Sequence, residues 1–232
     1  MNKLIQQHKI VAVITGLSII VMAVVATLIM VSGRTSMNGD PEGAVDMLRS
    51  GQEKARAEAF GWIVVLILDI IASWGIYLIF KLKNQELASL SALFRLIYSA
   101  ILGAAIGFLV YGLFLGQKGI ENSVADLAGY FVFAFQEVWS FGLIIFGLHL
   151  VTLGWLTWDK SILAKILGTL LVIGGSGYVL IHSAHVLMAD DSVFKMLAEP
   201  LFMAPMILGE LGFALLLFVR GIKKGTTSRP EE

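Results

Sequence analysis

The chain contains no cysteine, which excludes disulfides, thiolate metal sites and cysteine nucleophiles. Charge is scarce as well. Charged side chains make up 15% of the 232 residues, against about 25% in ordinary globular proteins. Seventeen basic residues balance seventeen acidic ones, so net charge selects no class of partner. No basic cluster with interleaved aromatics marks a nucleic-acid surface, and nucleic acid is not expected as a partner. A nucleotide-binding motif, a serine nucleophile elbow and a soluble catalytic domain are missing too. The sequence therefore leans away from an enzyme.

What fills the chain instead is apolar. Hydrophobic residues reach 57%, where soluble domains sit near about 45–50%, and the mean hydropathy is +0.84. These residues come in long blocks. A block of about 20 spans the ~30 Å hydrocarbon layer as a helix, and only helices or closed barrels satisfy their backbone there. The blocks are too continuous for alternating barrel strands. The expected fold is all-α, a polytopic membrane protein with a bundle of six transmembrane helices at about 10–32, 60–81, 90–116, 130–157, 162–187 and 201–220. The first apolar stretch exceeds the 7–15 residues of a signal core, so it reads as a retained span.

Between the spans, segment 33–59 is a long polar extracytoplasmic loop. In it Asp40 as N-cap and Pro41 as first helical residue predict a surface helix. Ser123 reads as a cap with Asp126 three residues on, and 223–232 as a cytoplasmic tail. Orientation follows from the Lys and Arg count. With the N-terminus inside, ten fall on the inner side and six on the outer, with Arg95 inside a span. Both termini are thus expected in the cytoplasm of a bacterium, with the chain in its cytoplasmic membrane. The expected environment is the lipid bilayer, with an oligomer allowed. Gly103 and Gly107 form a G-x-x-x-G pair that permits close helix approach, here read as packing within one bundle.

Ionisable groups inside a span cost at least ~2.5–3.5 kcal/mol and are kept where they pair or face a wet cavity. This chain places Asp69, Arg95, Glu137, His149, His182, His185 and Glu210 there. At 3.6 residues per turn, Tyr178, His182 and His185 share one side of the fifth span and Glu137 and Ser140 one side of the fourth. Asp69 aligns with Ser73, and Arg95 with Tyr98 and Ser99. Pointing every stripe inward puts the two histidines in a cavity open to the outside, beside Glu137 and Glu210. Asp69 and Arg95 form a polar pair, though their depths differ by ~8 Å at ~1.5 Å per residue. His149 reads as a packing histidine, and Pro205 as a kink close to Glu210.

Three functions compete for such a site. One is binding, and in its fuller form passage, of a small molecule, lipid, ion or proton. Glu137 and Glu210 would serve as ligands or proton acceptors, and His182 and His185 as ligands or relay. Another is a membrane-embedded hydrolase in which His182, His185 and Glu137 hold a divalent metal such as zinc. The third is a structural or regulatory subunit without chemistry. Four stretches, "LFRLIYSAILG", "FGLHLVTLGWLTW", "ILAKILGTLLVIGGSGYVL" and "GELGFALLLFVRG", resemble in order and spacing the bacterial multi-pass family called domain of unknown function 4386. The resemblance runs from about Phe60 to Ile222. It implies a multi-pass membrane protein and places Arg95, His149, Lys165 and Glu210 in the family pattern. It brings no activity, and so no catalytic residues.

Overall fold

The computed structural model describes residues 1–32, 52–116, 122–188 and 193–223. The expected surface helix after Asp40 and the tail from 224 lie outside these. Seven helices and no strand occur among the described residues: α1 Asn2–Gln7, α2 Lys9–Ser32, α3 Gln52–Phe80, α4 Gln85–Gly116, α5 Asn122–Thr157, α6 Ile162–Leu187 and α7 Val193–Ile222. All but α1 are long and apolar enough to cross a bilayer. The protein is a multi-pass membrane protein built as a six-span helical bundle.

Several helices are longer than their apolar blocks. Hydropathy marks the part that crosses hydrocarbon, whereas the backbone hydrogen bonds of a helix continue into its polar ends. Thus α4 begins at Gln85 rather than 90, and α7 at Val193 rather than 201. Ser123 lies inside the first turn of α5, not at its cap. Short polar turns close two hairpins at one end of the bundle. Asn84 Oδ1 accepts from the Leu87 N–H at 2.9 Å, and Ser161 Oγ from the Ala164 N–H at 3.2 Å, so each caps the helix that follows. Lys83 Nζ ties the turns together by donating to the carbonyls of Leu156 and Trp158. Its partial burial there holds its ammonium below the usual lysine range.

The helices form a ring. From α2 to α7 each packs on its sequence neighbours, and α7 returns to pack on α2. Outward faces are apolar, with Ile67, Trp74, Leu93, Leu163 and Leu215 exposed, as a surface that meets lipid requires. Polarity goes the other way: Asp69, Ser91, Arg95, Ser99 and His149 are buried inside the ring. The Gly103 and Gly107 pair is not where helices meet closely, since a Cβ at Gly107 would touch nothing within 4 Å. Helices do meet closely between α5 and α6, where a Cβ at Gly147 would lie 2.6 Å from the Gly175 carbonyl oxygen and one at Gly154 2.7 Å from that of Gly168, and between α2 and α7, where one at Gly16 would lie 2.6 Å from the Ala214 carbonyl oxygen.

Candidate functional site: a buried arginine hub beneath a polar vestibule

Arg95 lies on the inner face of α4, fully buried. Its Nη2 is 2.6 Å from Asp69 Oδ1 on α3 and 3.5 Å from Glu210 Oε1 on α7. Neither contact has hydrogen-bond alignment. Nη2 also lies 3.8 Å from the Met22 sulfur on α2, while Nη1 is 3.1 Å from His149 Nε2 on α5. Arginine only donates, so His149 Nε2 is the acceptor. Its proton then sits on Nδ1 and is donated to the Ser91 carbonyl at 2.8 Å. The guanidinium covers the Phe146 ring at 5.2 Å, a cation–π contact. One side chain thus joins four other helices through charge, sulfur, imidazole and ring.

The depth difference expected between Asp69 and Arg95 disappears for a simple reason. Asp69 is eleven residues before the end of α3, and Arg95 ten after the start of α4. Across their shared turn both therefore stand ~15–17 Å from the same end of the bundle, at ~1.5 Å per residue. Glu210, expected beside the histidines and with no other cation at its level, turns to Arg95 instead. The long guanidinium arm reaches across the ring centre, which residue heights alone do not reveal.

Towards the other end the ring opens into a cavity of about 790 Å³. Its wall comes from α2 (Met30), α5 (Glu137, Trp139, Ser140), α6 (Tyr178, His182, His185) and α7 (Glu199, Met203, Met206). His182 Nδ1 is 2.8 Å from Ser140 Oγ, and the Tyr178 ring stacks on His182 at 5.9 Å. His185 Nε2 lies 3.2 Å from Glu137 Oε1, with both side chains exposed by more than a third. Tyr178 also packs edge-on against Phe146 at 5.4 Å, and Phe146 underlies Arg95. The two rings separate vestibule from hub. Beyond the hub Ile76, Phe80, Leu153, Phe213 and Leu217 are wholly buried and close the ring.

The sequence-marked residues therefore divide into two groups. Asp69, Arg95 and Glu210 meet in the hub, while Glu137, His182 and His185 line the vestibule. The expected metal set does not converge: His185 engages Glu137, His182 engages Ser140, and no three His, Asp or Glu side chains form a metal-holding group among the described residues. Glu199 lies just before the sixth apolar span expected at 201–220, in a part of α7 that hydropathy does not mark. Its spacing to Met203 and Met206, four and seven residues on, puts all three on one helical face. His149, expected as a packing histidine, joins the hub through Arg95, a partner 54 residues away in sequence that no local signal indicates.

The sequence profile of the family described as Domain of unknown function (DUF4386) matches residues 14–221. The chain belongs to this family. The matched stretch starts in the first span, well before Phe60, and covers both hub and vestibule. A protein of Archaeoglobus fulgidus named "Uncharacterized protein" is 28% identical over 120 residues, covering 52% of this chain and 62% of that relative. The match thus spans less than two thirds of the relative's length. No solved structure matches the chain.

Proposed function

We propose that the vestibule binds a small positively charged ligand with an apolar body, as the first step of holding it or passing it across the membrane. The observation that carries this is the composition of the cavity wall: Glu137 and Glu199 face it, and among the described residues no Lys or Arg does. Its volume falls within the ~300–1,000 Å³ of small-molecule sites. Phe133, Trp139 and Tyr178 add aromatic rings to the wall, which favour a cation, and Met30, Met203 and Met206 supply adaptable apolar contact. His185 steadies the Glu137 carboxylate, and Ser140 and Tyr178 steady His182. The Lys and Arg asymmetry favours a vestibule on the non-cytoplasmic side.

Two ions of one shape and opposite charge provide the test. Calorimetry on the purified protein should detect tetraphenylphosphonium and not tetraphenylborate, with Glu137→Gln and Glu199→Gln each weakening binding about tenfold, or ~1.4 kcal/mol. Equal affinity for both ions, or no effect of either substitution, would overturn the reading. Passage is a separate measurement. Flux of tetraphenylphosphonium into proteoliposomes should fall in the same variants.

A further inference from the structure

The hub does not balance its charge. Arg95 keeps its proton under all ordinary conditions, which supplies one positive charge. Asp69 and Glu210 supply two negative charges if both are ionised. The other groups facing Glu210 do not settle the difference. From α4 comes only Arg95, from α3 Asp69, and from α6 the phenol of Tyr178, close enough to feel the Glu210 charge. On α5, His149 already spends its acceptor nitrogen on Arg95 and its Nδ1 proton on Ser91. An unmatched carboxylate charge inside a six-helix ring in lipid is costly. One proton on one carboxyl removes it.

The geometry says which carboxyl. Asp69 is fully buried and 2.6 Å from the guanidinium. Glu210 stands 3.5 Å away, and its side chain keeps 18% exposure against 1% for Asp69. It lies one helical turn beyond Met206, which lines the vestibule. We infer that Glu210 is a proton-binding site: it holds one exchangeable proton while Arg95 and Asp69 stay an ion pair. The exchange is a plain protonation. Hydronium gives its proton to a Glu210 oxygen, the O–H bond forms, water remains, and the hub passes from one net negative charge to none. On release, ionised Glu210 competes with Asp69 for the same guanidinium. Proton occupancy therefore decides whether Arg95 belongs to α3 alone or is shared with α7. This rests on the hub alone and stands whether or not the vestibule takes a cation.

Infrared spectroscopy of the full chain in lipid nanodiscs tests it, because a protonated carboxyl has its own carbonyl band, shifted in heavy water. At neutral pH the wild type should show one such buried band, and the band should decline as pH rises. Glu210→Gln should abolish it while leaving the unfolding midpoint near wild type, since a neutral amide replaces a neutral acid. Asp69→Asn should abolish it by a different route: with Asp69 neutral, Glu210 ionises to pair with Arg95. Glu137→Gln should leave it in place, even where it weakens phosphonium binding. A wild type without the band, a band surviving Glu210→Gln, or one surviving Asp69→Asn each overturns the assignment. Labelling the glutamate side-chain carboxyls of the wild type with carbon-13 separates the two acids: the band should shift, whereas an unshifted band would place the proton on Asp69 and overturn the assignment.

Discussion

The hub and the vestibule contain the same kinds of residue, carboxylate and imidazole with a ring beside them, but differ in what water can reach. In the hub Arg95, Asp69 and His149 are at most 1% exposed, so each depends on a protein partner. In the vestibule Glu137 and His185 pair at 3.2 Å while exposed by more than a third, and solvent can substitute for either partner. A buried pair broken on one side leaves an uncompensated charge; an exposed pair broken on one side leaves a hydrated one. The same pairing chemistry should thus stabilise the fold in one region and leave it nearly untouched in the other, where the side chains stay available for a ligand.

The largest expected effect breaks the hub. Arg95→Met should cost about 3–5 kcal/mol by stranding Asp69, measured as unfolding in mixed micelles. His185→Ala in the same assay should cost under about 0.5 kcal/mol. The double variant Arg95→Met with Asp69→Asn should recover most of the loss, because with both charges removed and Glu210 protonated the centre carries no net charge. If the two single variants destabilised equally, water would have to reach the hub, and the contrast would be gone.

A smaller effect lies at the wall between the regions. Gly147 is next to Phe146 and two residues before His149, and a Cβ there would press on the Gly175 carbonyl oxygen at 2.6 Å. Backbone cannot yield as a side-chain tip does, so Gly147→Ala should push α5 from α6 at about 1–3 kcal/mol. Gly107→Ala, with nothing within 4 Å, should cost nothing measurable. Near-equal unfolding midpoints for the two variants would show that the wall is loose.

How much of this was legible beforehand depends on the range of each signal. Long apolar blocks are local, so the six spans could be read directly. The polar stripes were legible too, because helical period assigns Asp69 and Ser73, or His182 and Tyr178, to one face. Which stripes meet was not. Rise estimates counted from the apolar edge of each span set Arg95 too near one end, since α4 carries five further polar-end residues before Leu90. Arg95 then reaches sideways as far as Glu210, and a long flexible side chain makes backbone height a poor guide to its partner. Glu199 escaped for the same reason as the depth error: the helix outlasts the hydrocarbon.

The smallest effect sharpens the vestibule itself. Ser140 Oγ and His182 Nδ1 are 2.8 Å apart, and the Tyr178 ring stacks on the imidazole face. Removing the hydroxyl in Ser140→Ala leaves the stacking, and the cavity gives water room to take the lost place at little cost. Stability should change by less than about 1 kcal/mol, and tetraphenylphosphonium affinity by less than about threefold, whereas the nitrogen resonances of His182 should move towards an altered tautomer mixture. A Ser140→Ala loss of affinity as large as that of Glu137→Gln would mean something else. The imidazole would then be held as rigidly as the hub holds Arg95, and the vestibule would work by fixed geometry rather than by charge on a wet surface.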